Sequence, residues 1–294
     1  MSLHFEDTRD NRKIGILLII LTSICFGTLD SLAKLLVKTI PVTEVVWMRF
    51  ASQFALMCIF FIPKHKFALI QVNHPKIHLL RALLLGGMTS FNFTALQYLE
   101  LSQAAAIEFT VPIIVALISV HYLKETLGFK RWSAIFMGFL GVLIIVRPGT
   151  NNFHPAIFLS ILNAIFYAIF LLLTRHVTIK DSPEQSQFLP IGGVVLMLLP
   201  FLIHKWVMPP DLLTWTLLIT CGILGGIGHM SLAHAHRYAS SSTLGPFLYQ
   251  KIIYMILWGW IFFNQLPDLT ATIGTIIVGL GGLYLVRHEM KFKI

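Results

Sequence analysis

Stretches of about twenty consecutive apolar residues recur along almost the whole of this 294-residue chain. A helix needs about that many residues to cross ~30 Å of hydrocarbon. Lipid offers the backbone no hydrogen-bond partner, so a chain built this way must form helices or a closed barrel. Runs of this length specify helices. Ten can be traced, at 14–37, 43–62, 78–99, 103–123, 130–146, 155–174, 186–204, 212–235, 242–263 and 268–286. The expected fold is an all-α integral membrane protein with ten transmembrane helices. Connections between the runs are short, leaving no soluble domain, and residues 1–13 form an N-terminal tail. The first run is too long, and too closely followed by others, to read as a cleaved signal.

Charge fixes the orientation. Hydrophobic residues make up 56% of the chain and charged ones only 12%, yet the formal net charge is +9. A basic excess can mean nucleic acid, but its distribution here means topology. With the N-terminus inside, sixteen Lys and Arg fall on the cytoplasmic side and three, Lys38, Arg147 and Lys205, on the other. Removing one span would reverse the sign of every later loop. The expected location is the cytoplasmic (inner) membrane, with both termini cytoplasmic, the bilayer as partner and no nucleic acid. Cys25, Cys58 and Cys221 fall inside predicted helices in no paired pattern.

The chain also reads as doubled. LGVLIIVR at 140–147 matches LGGLYLVR at 280–287, an offset of 140. At that offset Glu125 aligns with Gln265, and the region of Tyr98 to Ser102 aligns with Tyr238, Ala239 and Ser240. This gives a first repeat at 14–147 and a second at 155–288, with five spans each. An odd number of spans per repeat turns the two halves over relative to each other. Such inverted repeats build one central site reachable from either face.

These features resemble a known family. Tyr98 and Ser102 before the fourth span, Lys124-Glu125 after it, Arg237-Tyr238-Ala239-Ser240, Pro246-Phe247-x-Tyr249 and Phe263-x-Gln265-x-Pro267-Asp268 are similar to the EamA branch of the drug/metabolite transporter superfamily. The likeness covers about residues 14–288. Within the branch, Asp30-x-x-x-Lys34, Trp47-x-Arg49-Phe50, His78-Leu-Leu-Arg81 and Gly87-Met88-Thr89-Ser90 resemble S-adenosylmethionine uptake carriers. The resemblance implies a transporter whose fourth and ninth helices line a central cavity. One departure is Gln265, where the family often has Glu.

Ionisable groups inside a bilayer are costly and mark interior or wet surfaces. The candidates that survive this filter are Asp30, Lys34, Glu44, Arg49, Glu108, His229, His234 and Lys251. Asp30 and Lys34, four apart, share a helix face and can neutralise each other, or face substrate. Glu44 and Arg49 lie near a helix end, where Arg can snorkel. His229, His234 and His236 lack the spacing of a metal site, so no metal is expected.

Glu108 and Lys251 differ, since neither has an opposite charge three or four residues away. Counting residues from each surface leaves them offset by about 8 Å in depth, a gap that water or substrate can bridge. A purely structural ion pair is the alternative. Phe247, Lys251, Tyr254, Met255 and Trp258 recur at steps of three and four, placing a cation among aromatic groups on one face. Ala104, Ala105 and Ala106 leave room beside Glu108, and Pro112 and Pro246 each remove a backbone donor. Asn92, Asn163 and Tyr167 can add hydrogen bonds.

No Gly-rich phosphate loop, nucleophile elbow or metalloprotease helix is present, so neither an enzyme nor a cofactor is expected. The leading expectation is a secondary transporter of a small polar, zwitterionic metabolite, S-adenosylmethionine-like or amino-acid-like, working by alternating access. Its substrate-binding residues would be Glu108, Lys251, Asp30, Phe247, Tyr254, Trp258, Asn163, Tyr167 and Asn92. A proton or a second, exchanged substrate could couple to it. An exporter of the same family is the alternative, and a channel or intramembrane enzyme the alternatives of other classes.

Overall fold

The computed structural model describes residues 9–123, 129–147, 153–177, 180–203, 206–239, 244 and 247–291. Lys124, Glu125, Ser240, Lys205 and Pro246, which figure in the sequence reading, lie outside them. Every regular element among the described residues is helical: α1 (Arg9–Leu36), α2 (Val42–His65), a short 3-10 helix (Lys66–Ile70), α3 (Pro75–Leu96), α4 (Leu101–Glu108), α5 (Val111–Leu123), α6 (Phe129–Val146), α7 (Ile157–Val177), α8 (Pro183–Leu202), α9 (Leu212–Tyr238), α10 (Lys251–Phe263) and α11 (Leu269–Lys291). Six of these, α1, α2, α3, α7, α8 and α9, are long and apolar enough to cross a bilayer, and four shorter apolar stretches match the fourth, fifth, ninth and tenth expected spans.

Helix starts follow local chemistry. Ser182 caps α8 through a reciprocal pair with Gln185. The Asp268 carboxylate accepts the Ala271 N–H at 2.7 Å at the start of α11, and Asp211 accepts that of Thr214 at 2.7 Å at the start of α9. Pro75 opens α3, where its missing N–H costs nothing.

The expected fourth span, 103–123, is not one helix. α4 ends at Glu108 because Pro112 has no N–H to give the Glu108 carbonyl. Thr110 closes that end, donating its N–H at 3.0 Å and its hydroxyl at 2.7 Å to the Ile107 carbonyl. The ninth span, expected from 242, is likewise interrupted: Leu244, Phe247 and Leu248 are helical, a turn follows at Tyr249 and Gln250, and α10 begins at Lys251. α5 and α10 begin at 111 and 251, an offset of 140.

Two compact units emerge. The first comprises Met1–Thr28, Glu100–Phe153 and Ile227–Ile294. In it α6 lies along α11 and α4 packs on α10. The α6–α11 crossing is backbone on backbone: a Cβ at Gly141 would lie 2.8 Å from the Gly274 carbonyl oxygen, and one at Gly274 would lie 2.8 Å from that of Gly141. Small residues permit such approach between membrane helices, where dispersion must replace the hydrophobic effect. The second unit, Leu29–Leu99 and His154–Gly226, packs α3 against α7 and α8, and α2 against α8.

Candidate functional site

In the first unit the helix breaks bring Glu108, the last residue of α4, to Lys251, the first of α10. Lys251 Nζ donates to Glu108 Oε2 at 2.8 Å, with side chains 13% and 21% exposed. Direct contact thus replaces the offset expected from residue counting, because both groups sit at helix ends whose packing sets their depth. Each charge opposes its own helix end: a carboxylate stands at a C-terminus and an ammonium at an N-terminus, the unfavourable sense of the macrodipole. Phe109, which follows Glu108, and Tyr249, two residues before Lys251, meet edge to face at 4.7 Å between ring centroids. These two are themselves 140 positions apart. Phe109 belongs to an apolar cluster with Ala106, Ile145 and Val278, against which Tyr249 and Ile252 pack.

The aromatic stripe of α10 lies on α1. A Cβ at Gly27 would stand 3.0 Å from Tyr254 Cβ, with buried Met255 beside it. Trp258 Nε1 donates to Thr28 Oγ1 at 3.1 Å, and its ring stacks on Phe262 at 5.2 Å. Phe247, ahead of the break, packs on the cluster of Ile19, Ala235, Ala239 and Leu244.

The second unit holds the remaining polar candidates. Asp30 Oδ1 accepts from Asn92 Nδ2 at 3.0 Å. Lys34 Nζ donates to the carbonyls of Leu96, at 3.0 Å, and Leu99, at the C-terminal end of α3 where a cation is favoured. Arg49 does not snorkel as expected. It is 5% exposed, donates through Nη1 to Thr89 Oγ1 at 3.4 Å, and lies 4.3 Å over the Phe50 ring. The reason is α9, whose Gly222 would bring a Cβ within 2.7 Å of the Arg49 carbonyl oxygen and so allows α2 to press against it. Buried Glu44 accepts the Val207 N–H at 3.0 Å. Asn163 is buried and Tyr167 half-buried on α7.

His78 and Arg81, quoted above only as a motif, join a further buried cluster in this unit. His78 Nε2 lies 2.9 Å from Asp181 Oδ2, and Arg81 Nη1 donates to His78 Nδ1 at 3.1 Å and to the Ser186 carbonyl at 2.8 Å. Arginine can only donate, so Nδ1 accepts and Nε2–H donates to the carboxylate, which makes the imidazole neutral. Asn73 adds its backbone N–H at 3.0 Å and its side-chain amide at 2.7 Å to Asp181 Oδ1. Burial alone would raise the Asp181 carboxyl, but the hydrogen bonds from His78 and Asn73 outweigh it and hold the group below its ordinary value. The His78-x-x-Arg81 spacing was visible, whereas the Asp181 partner lies 103 residues away.

The EamA-like transporter family model matches the chain twice, over residues 13–147 and 154–287. The chain belongs to this family. An S-adenosylmethionine uptake transporter of Rickettsia prowazekii is 26% identical over 278 residues, covering 94% of each chain. A riboflavin transporter of Vibrio cholerae is 29% identical over 219 residues, 73% of this chain and 72% of that one. A pseudopaline exporter of Pseudomonas aeruginosa is 23% identical over 281 residues, 95% of this chain and 98% of that one. A protein crystal structure superposes with a TM-score of 0.65 at 16% identity, covering 96% of this chain and 99% of that one, a likeness of fold. The EamA-like chain is thus a multi-pass membrane transporter.

Proposed function

We propose that the chain is a secondary carrier, working by alternating access between two inverted repeats, for a small zwitterionic organic metabolite of the S-adenosylmethionine or amino-acid class. Both termini are cytoplasmic in this reading. The observation that carries it is the Glu108–Lys251 contact, at 2.8 Å and mostly buried, at matched breaks in α4 and α10. A salt bridge held against two helix ends is one that an incoming zwitterion can replace, its carboxylate meeting Lys251 and its cationic group meeting Glu108. Tyr254, Trp258 and Phe247 supply aromatic surface beside the exchange, which suits a sulfonium or a planar ring. Asp30, Asn92, Asn163 and Tyr167, in the second unit, are the further hydrogen-bonding groups this reading assigns to the substrate. Relatives named for S-adenosylmethionine uptake support this class, while those named for riboflavin and pseudopaline show how widely cargo varies within the family.

Reconstituted protein tests the reading. Lys251→Met and Glu108→Gln should each abolish uptake of labelled S-adenosylmethionine into proteoliposomes while the purified variants stay monodisperse. Normal uptake by both overturns it. An imposed proton gradient separates the coupling modes, since unchanged accumulation removes the proton-coupled version.

A further inference from the structure

Arg49 and Gln53 are side chains of the second unit whose chemistry the fold leaves open. They stand one turn apart on α2 and are 5% and 1% exposed, yet Arg49 Nε and Gln53 Oε1 have no hydrogen-bond partner among the described residues. Buried polar atoms are ordinarily paired, so an open donor beside an open acceptor points to a group from outside the chain. Gly225 of α9 makes the notch between them: a Cβ there would lie 3.1 Å from Gln53 Oε1 and 3.5 Å from Arg49 Nε. The guanidinium's bond to Thr89 is long, at 3.4 Å, and Asp30 lies within its electrostatic reach.

Glu44, also buried on α2, is five residues from Arg49 and on another face, where it accepts the Val207 N–H.

We propose that this cluster is a second position for the transported molecule and takes an α-amino carboxylate head group. Arg49 meets the carboxylate through its planar fork of donors, while Gln53 Oε1 and Asp30, both acceptors, meet the ammonium. The assignment rests on reading the chain as a carrier of zwitterions.

Binding to the purified protein in detergent tests it, with S-adenosylmethionine, decarboxylated S-adenosylmethionine and riboflavin as probes. The unmodified protein should bind S-adenosylmethionine at least about tenfold more tightly than the decarboxylated form. Arg49→Gln should abolish that preference, and Arg49→Lys, which keeps the charge and guards against misfolding, should reduce it because an ammonium lacks the fork. Gln53→Leu should weaken S-adenosylmethionine binding without lowering the unfolding temperature, since it removes an acceptor that has no partner. Equal binding of the two adenosyl probes, an unchanged preference in both Arg49 variants, binding of riboflavin alone, or binding of none of the three overturns the assignment. Because the readout is binding, normal uptake by Lys251→Met and Glu108→Gln would remove the first site and leave this one standing.

Discussion

Replacing Lys251 by Met leaves the Glu108 carboxylate at the C-terminus of α4, 21% exposed and without its ammonium partner. Removing one partner from a buried ion pair costs about 3–5 kcal/mol. Residual exposure lets water reach the survivor, which places the cost at the lower end, about 3 kcal/mol, and losing the ammonium's adverse contact with the α10 macrodipole offsets roughly 0.3–1 kcal/mol of it. Glu108→Gln should cost a similar amount by stranding Lys251 at the start of α10. The double variant carries neither charge nor either adverse dipole term, so its net cost should be only about 0–1 kcal/mol. A coupling energy of roughly 3 kcal/mol or more is therefore expected from the four-protein cycle. Reversible unfolding in mixed micelles by detergent titration measures it. Additive losses in the double variant, or single losses below about 1 kcal/mol, would show that the pair is exposed to water and that the helix-end argument is wrong.

Other measurements probe the scaffold. Gly141→Ala places a methyl 2.6 Å from Val278 Cγ2 and 2.8 Å from the Gly274 carbonyl oxygen, and should cost about 1–3 kcal/mol as α6 and α11 are pushed apart; an unchanged unfolding midpoint would contradict that crossing. Asp181 has a depressed carboxyl, so its contribution is fully present above the ordinary value of 3.8 and is lost as pH falls through the lower folded value. Asp181→Asn should accordingly be less stable than the parent at neutral pH, with the gap narrowing on acidification below about pH 4; parallel stability curves between pH 3 and 7 would refute this.

Periodicity of hydrophobicity carried most of the helical architecture, since a twenty-residue apolar run admits few other outcomes. It could not show the interruption at Phe109 and Thr110, because a helix and a broken helix have the same hydropathy; Pro112 was the one local signal. Lone charge made Glu108 and Lys251 legible, as an unaccompanied ion in lipid demands a distant partner. Arg49 was misplaced by the opposite logic. Its position near a helix end allows snorkelling, and only the glycine face of α9 at 222 and 225 shows that the guanidinium is enclosed instead. The neutral His78 against Asp181 was hidden because the acid lies in a loop, where carboxylates are unremarkable.

Helix breaks at 109–110 and 249–250 fall at equivalent places, but the residues flanking them do not correspond: position 108 aligns with Leu248 and position 251 with Val111. Two identical halves would have placed either two acids or none at the first position, and either two bases or none at the second. A single acid facing a single base therefore depends on the halves having diverged within one polypeptide. A pair of unlinked, identical half-chains could keep the backbone geometry, but it would hold such a contact twice or not at all.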